Sequence, residues 1–471
     1  MQQDAVAVVV VFVANILAYG FRSLLPSTPL TAQAFLLDSI ASSTTQSSWK
    51  LFGVLESTFI ATYALSFLVC AHVSRTCRSP LRVLLTGLLA WCGGAVLCGY
   101  FVTNKSSFRF QLVLGGRVLS GIGDGMLQAL TPSIIERVAL EHHRQRWMRL
   151  YFAGAAIGTG LGYGVGNVVT AAYGWQWAFY GYTAAMSTVL LLLCGACLSQ
   201  QWTHRRLPKP APQESAATIQ ADEAVSLLLS PTYIFTSLGA AATLFTLRAL
   251  ATYMPTWWLY ARIWPTEQMA ATVYGGVVTV TALVAAPLGG YLLTWASRRC
   301  VCDASQLRVA CRQQLLHVAI GVGSLVGMTT LLENQGWTLV TLVVGLVSAS
   351  GALNATSVVV LLSVQNGGRS RAMQTFAVVV HLCGDIPAPV LVGWFMDHPG
   401  AATCLNHMTP SQDDGFCIEN VQTILFWSVL WMAWTVLCGL LAYGLSIVTP
   451  SNSTGDAQHG AYVQETTARQ A

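Results

Sequence analysis

Charge is what this chain has least of. Asp, Glu, Lys and Arg make up 9% of its 471 residues, against roughly 25% in a soluble domain. Too few charged side chains are present to cover a soluble core of this size, so a single soluble core is excluded. No segment shows strand-like alternation of any strength, and the chain is expected to be all-α. Metal-ligand spacings and nucleophile–base constellations are missing too. Glu141-His142-His143 lacks the spacing of a metalloprotease helix and reads as a solvated face. Gly158-Thr159-Gly160 sits in no βαβ unit that would make it a dinucleotide motif. An enzyme is therefore not expected, and no metal or cofactor is called for. The first apolar run has neither a basic leading region nor a clear A-x-A site, so it reads as a membrane helix, not a cleaved signal.

Apolar runs of about 20 residues, each long enough to span a bilayer, fill the space that charge leaves empty. Twelve are read at 5–26, 51–73, 82–102, 110–135, 150–172, 176–198, 232–260, 268–296, 314–333, 338–364, 372–396 and 421–447. Placing both termini in the cytosol puts most Lys and Arg in inner loops and leaves only Lys50, Lys105, Arg109 and Arg262 outside, as the positive-inside rule requires. The net charge of +5 thus reports membrane orientation, and no nucleic-acid partner is expected. A polar stretch splits the spans six and six. The expected organisation is a six-helix bundle over 1–198, a cytosolic linker over 199–231, a second bundle over 232–447 and a disordered tail over 448–471. Two such bundles around a central cavity form the major facilitator arrangement, with substrate near the midplane.

Glu223 to Leu228, E-A-V-S-L-L, has the form of an acidic dileucine signal and points to a lysosomal or late endosomal membrane, with the plasma membrane as the alternative. Asn104-Lys105-Ser106 is a glycosylation sequon close to the membrane. Most of the thirteen cysteines lie in predicted helices, where they act as small apolar residues. Cys404 and Cys417 share the last outer loop, where an oxidising compartment permits a disulfide. Cys300, Cys302 and Cys311 match no zinc pattern and read as free thiols.

The informative residues are the charges inside the spans: Arg22, Arg117 and Arg248, with Glu56, Asp124 and Asp385. A bilayer penalises idle charge, so each marks a functional site by default, and equal numbers of each sign point to mutual compensation. Arg117 and Asp124 are two turns apart on one side of the fourth span, at about 10 Å. That is too far to bond, so each is expected to serve a partner on another helix, such as Arg22 or Glu56. A substrate or proton site and a structural pair fixing helix packing are both open readings. His381 and Asp385, four apart on one face of the eleventh span, suit proton coupling. A hydrogen bond from His381 to a neighbouring helix is the alternative. Pro387 and Pro389 are expected to bend that span. Arg248 receives an anion, snorkels, or pairs with Asp385 across the two halves. Trp257, Trp258 and Trp264 read as an interfacial aromatic belt. The glycines of Gly154 to Asn167 read as a close sliding contact.

Several of these segments resemble one family. G-R-V-L-S-G-I-G-D-G, T-P-S-I-I, R-W-M-R-L-Y-F-A-G-A-A-I-G-T-G-L-G-Y and W-Q-W-A-F, from the fourth to sixth spans, are similar to motifs of the Spinster branch of the major facilitator superfamily. So are V-L-E-S-T-F-I-A-T-Y, ending at Tyr63, and the segment with Gln374, His381, Gly384, Asp385, Pro389, Gly393 and Asp397. The resemblance implies a transporter of lysophospholipids or sphingoid phosphates, often lysosomal and often proton-linked. Taking the intramembrane charges and these motifs together, the substrate-binding candidates are Arg117, Asp124, Arg22, Glu56, Arg248 and Tyr63, and the coupling or gating candidates are Asp124, His381, Asp385 and Glu56. The chain departs from the pattern in four places. The Asp-Arg after Asn15 is unmatched, with Arg22 a turn beyond Ala18. The fourth-span Glu is Asp124. Arg75 stands where the acid of the loop after the second span belongs. Arg248 replaces a small residue.

The expected activity is alternating-access transport of a lysolipid or sphingolipid, with protons and membrane lipids as its other partners. Polar side chains would hold the head, and the fifth span and the eighth, with Gly275, Gly276, Gly289 and Gly290, would part to admit the tail. The alternatives are transport of a small organic anion or sugar, and a receptor-like protein that binds without cycling.

Overall fold

The computed structural model describes residues 2–40, 48–76, 80–104, 108–138, 141–198, 230–298, 302–330, 334–364, 369–398 and 415–448, with 106, 300 and 332. Every regular element among them is helical. The first half is built of α1 (Gln2–Ser27), α2 (Pro29–Ile40), α3 (Ser48–Thr76), α4 (Pro80–Thr103), α5 (Arg109–Val138), α6 (Glu141–Leu161), α7 (Asn167–Tyr173) and α8 (Trp175–Leu198). The second half comprises α9 (Pro231–Tyr260), α10 (Glu267–Ser297), α11 (Asp303–Thr330), α12 (Gln335–Leu362), α13 (Arg369–Val380), α14 (Pro387–Met396), α15 (Gly415–Leu430) and α16 (Ala433–Val448). Together they make twelve passes, in which α6–α7, α13–α14 and α15–α16 are interrupted single passes and α2 lies outside the count. Ten segments are long and apolar enough to cross a bilayer. The other two passes are α5, which carries Arg117, Asp124 and Gln128, and the interrupted α6–α7.

Packing follows the six-and-six division. α5 lies against α3 and α4, and α1 against α6 and α8. In the second half α12 lies against α10 and α11, and α16 against α9 and α11. The halves join along two seams, α3 on α14 and α6 on α10. The end bearing the start of α1 is the near end, and the opposite one the far end.

Three local features were not foreseen. α2 occupies what reads as loop, although its start carries a signal: Thr28 precedes Pro29, which is tolerated in the first turn because its missing N–H would be unpaired there anyway. Ala32, Phe35 and Leu36 anchor it in the core. The last pass breaks at Trp431–Met432, where Trp434 N–H turns back to the Trp431 carbonyl at 3.2 Å. The fifth and eleventh passes each hold a π-helical turn, at Gly162–Gly166 and His381–Asp385. In the eleventh, Pro387 cannot donate to the carbonyl four residues back. Ile386 N–H reaches the His381 carbonyl at 3.1 Å instead, and the ladder widens by one residue.

The aromatic-belt reading is corrected. Trp257 and Trp258 are 1% and 0% exposed, because α9 is enclosed by other helices. Trp258 stacks against Tyr274 and Trp264, and Trp257 against Tyr253. The grouping of four glycines on the eighth pass is corrected too. Gly275 meets Tyr163 of the first half. Gly289 packs on Gly351 and Asn354 of α12, while Gly276 and Gly290 meet nothing.

Candidate functional site

The intramembrane charges converge, though not all on one surface. Arg117 on α5 donates from Nη2 to Glu56 Oε1 on α3 at 2.6 Å, and the two side chains are 1% and 0% exposed. The Arg117 guanidinium also lies 4.4 Å from the centroid of the Phe59 ring. The pair is closed to solvent and joins α5 to α3. Glu56 Oε2 and Arg117 Nη1 have no hydrogen-bond partner among the described residues.

Asp124, also fully buried, belongs to a polar chain inside the first half. Gln128 Nε2 donates to Asn15 Oδ1 at 2.8 Å and, more weakly, to Asp124 Oδ1 at 3.5 Å. Tyr151 Oη donates to Gln128 Oε1 at 2.7 Å, and Asn15 Nδ2 to the Tyr151 carbonyl at 2.7 Å. Asp124 Oδ2 has no partner among the described residues. Gln128 and Tyr151 were missed in the sequence, although Asp124 and Gln128 one turn apart on an otherwise apolar face were the available signal.

Arg22 forms no ion pair among the described residues. Its guanidinium lies over aromatic rings instead, 4.7 Å from the centroid of Tyr63 and 5.5 Å from that of Phe59. Tyr63 meets His381 edge-on at 6.0 Å. His381 Nδ1 lies 2.9 Å from Asp385 Oδ1 and 3.1 Å from Oδ2. One chain of contacts thus runs from α1 through α3 into the eleventh pass, and Tyr63 is its bridge. Both residues lie in the π turn, and Gly384 lets it approach α9: a Cβ there would sit 2.7 Å from the Ala241 carbonyl oxygen.

Arg248 on α9 likewise forms no ion pair among the described residues. It lies within electrostatic reach of Arg22, Glu56, Tyr163 and Asp385. Asp385 sits in the same half as Arg248, so a pairing of these two across the halves is corrected: α9 packs directly on the π turn His381–Asp385 of the eleventh pass. Arg22 Nε and Arg248 Nε are both buried without a hydrogen-bond partner among the described residues. Two guanidinium groups from opposite halves therefore share one polar region with Asp124, Asp385 and Glu56 nearby. Cys404 lies outside the described residues, as does the Cys417 side chain.

The site is closed off toward the far end. α3 packs on α14 and the π turn and hardly on α13. Ser57 Oγ donates to the Ile386 carbonyl at 2.5 Å, and Tyr253 Oη to the Pro389 carbonyl at 2.6 Å. Gly53 abuts the Pro389 carbonyl and Gly393 the Trp49 carbonyl, each too closely for a Cβ. Gly53→Ala is therefore expected to wedge the seam apart, since its neighbour is backbone and cannot turn aside. The measurement is labelling of a seam cysteine from the far face, which should rise; unchanged labelling would show that the seam yields elsewhere. Asp397, at the end of α14, accepts from the N–H groups of Trp49 and Lys50 at 3.1 and 2.8 Å. Burial raises its carboxyl above the usual range, against the pull of those donors and of Lys50.

Comparison with known proteins agrees with this architecture. The model of the Major Facilitator Superfamily matches residues 10–384. Protein spinster homolog 1 of Xenopus laevis is 24% identical over 417 residues, 84% of this chain and 73% of its own length. Probable sphingolipid transporter spinster homolog 1 of Arabidopsis thaliana is 21% identical over 373 residues, 74% of this chain and 72% of its own. Among solved structures, a bacterial homolog to the human lysosomal transporter Spinster superposes with a TM-score of 0.70 at 16% identity, covering 94% of this chain and 98% of that one. A D-xylose-proton symporter superposes at 0.62 and 14%, covering 90% and 96%, so the fold is not confined to Spinster transporters. The chain belongs to the major facilitator superfamily, a family of transporters and not of enzymes, and its sequence relatives there are Spinster proteins.

Proposed function

We propose that this chain moves a single-chain amphiphile with an anionic head group, a lysophospholipid or sphingoid phosphate, by alternating access. The observation that carries the proposal is the pair of guanidinium groups, Arg22 and Arg248, that form no ion pair among the described residues and are contributed by opposite halves to one buried region. Guanidinium presents a planar fork of donors that fits phosphate. A ligand gripped from both halves ties their relative motion to its own binding. The name of the Arabidopsis relative, a probable sphingolipid transporter, supports the cargo class. Tyr63 and Phe59, beside Arg22, offer apolar surface just below the head.

Residues 1–198 and 232–447 act as the two rocking bodies, joined by 199–231, with 448–471 as a tail. Lys and Arg placement puts both termini in the cytosol, and the dileucine-like E-A-V-S-L-L favours a lysosomal or late endosomal membrane. The proton role falls to His381 and Asp385, because Tyr63 links them to Arg22. Asp124, without a cation on its second oxygen, is the next candidate. Arg117 and Glu56, closed on each other, position α3 and α5 behind the site.

The test is uptake of labelled lysophosphatidylcholine and sphingosine 1-phosphate into proteoliposomes, with and without an inward-acid gradient. Gradient-stimulated uptake is expected for at least one lipid. Asp385→Asn is expected to leave equilibrium lipid exchange intact while removing the stimulation by the gradient, since it keeps the shape and loses the titrating oxygen. Absence of uptake of both lipids by folded, inserted protein would reject the cargo class.

A further inference from the structure

At the far end a second-half carboxylate meets the start of a first-half helix at two places. Asp397 is one, where both carboxylate oxygens of a second-half residue accept the first-turn N–H groups of α3. Glu267, the first residue of α10, is the other. Its Oε1 accepts the N–H of Leu30 in the first turn of α2 at 2.7 Å. In each case a carboxylate of the second half sits on the start of a helix of the first. A helix start leaves four N–H groups without partners inside the helix and carries partial positive charge. A carboxylate there gains both hydrogen bonds and favourable electrostatics.

The surroundings make the two contacts depend on closure. Gly393 and Gly53 bring the α14 and α3 backbones together so closely that Asp397 reaches Trp49 and Lys50. Tyr260, next to Glu267, lies close to Gln33 of α2. The charged and titratable groups acting near Asp397 are Lys50 and Tyr253, and near Glu267, Tyr260. Among the described residues no cation acts on Glu267; its one polar partner is a backbone N–H of the other half.

We infer that Asp397 and Glu267 form a paired carboxylate clamp that sets the balance between far-closed and far-open forms by capping helices of the opposite half. The inference rests on a two-state transport cycle and on no particular cargo, and neither residue touches the region proposed to hold substrate. Its two arms differ in chemistry. Asp397 uses both oxygens, so Asp397→Asn keeps one acceptor and turns an N–H₂ toward an N–H. Glu267 uses one oxygen, so Glu267→Gln keeps its bond.

The experiment places Ser57→Cys in the seam of the full-length protein in liposomes and measures labelling by a membrane-impermeant maleimide from the far face, with the Ser57 protein as baseline. Labelling is expected to be slow with both carboxylates present. It should rise about tenfold or more with Asp397→Ala and Glu267→Ala together, the loss of charge-assisted hydrogen bonds worth at least one decade. Asp397→Asn should lie between, and Glu267→Gln should stay near the starting rate. Labelling of the alanine pair within twofold of Ser57→Cys alone would overturn the clamp. Should the alanine pair fail to fold, the amide variants decide: equal labelling of Asp397→Asn and Glu267→Gln overturns the inference, and a rise in the first alone supports it.

Discussion

Replacing Arg117 with alanine is expected to cost roughly 3–5 kcal/mol of stability, because it leaves the Glu56 carboxylate buried without its cation. Glu56 is 0% exposed, so water cannot take the place of the guanidinium. The fall should appear as a lower unfolding temperature in detergent, followed by tryptophan fluorescence. Glu56→Ala should show the same loss from the other side, leaving Arg117 with the Leu55 carbonyl, 3.5 Å from Nε, as its one remaining hydrogen-bond partner among the described residues. The double variant Arg117→Met with Glu56→Met is expected to recover most of that stability, since Phe59 and Phe21 already surround the guanidinium with apolar surface and removing both charges removes the desolvation penalty. This pattern separates a packing role from a substrate role. If the double variant is stable and still transports, the pair fixes α3 against α5 and does not touch cargo. If single and double variants melt together with the parent, the pair contributes nothing to the fold.

Legibility in the sequence tracks what each feature depends on. The twelve passes and the six-and-six division depend on hydropathy and length, which are local, and both were readable. That Arg117 needs a partner on another helix was readable from its spacing to Asp124. That the partner is Glu56, and that the pair is sealed, depends on how α3 and α5 rotate about their axes, which no single sequence window contains. His381 and Asp385 were readable as neighbours, but the π turn that presents them follows from Pro387 acting on the ladder behind it. The tryptophans of α9 misled because a buried and a lipid-facing Trp look alike in sequence. The separation depends on which helices enclose α9. Asp397 stood out only as part of a motif, and Glu267 not at all, because a carboxylate at a helix end reads as a surface residue until the other half is placed against it.

Arg22→Ala and Arg248→Ala are each expected to weaken transport of an anionic lysolipid by about 10- to 100-fold in apparent affinity, the range of a hydrogen bond to a charged group, about 1.5–3 kcal/mol. Neither arginine has a carboxylate in ion-pair contact among the described residues, so removing one breaks no ion pair, and the fold is expected to survive. That is the contrast with Arg117. Lysine at either position should recover little, because an ammonium cannot reproduce the fork of the guanidinium. At 22 it would also lose the stacking over Tyr63 and Phe59. The two losses should not add: if both groups hold one phosphate, the double variant falls little below the worse single one, whereas independent sites would multiply. A monoacylglycerol, with the same tail and no charge, supplies the control. Its residual flux should be indifferent to both substitutions, since it offers nothing for a guanidinium to bind. An equal loss for charged and uncharged lipids would mean that the arginines serve the motion of the halves and not recognition. Unchanged apparent affinity for the anionic lipid in both variants would remove the head-group assignment altogether.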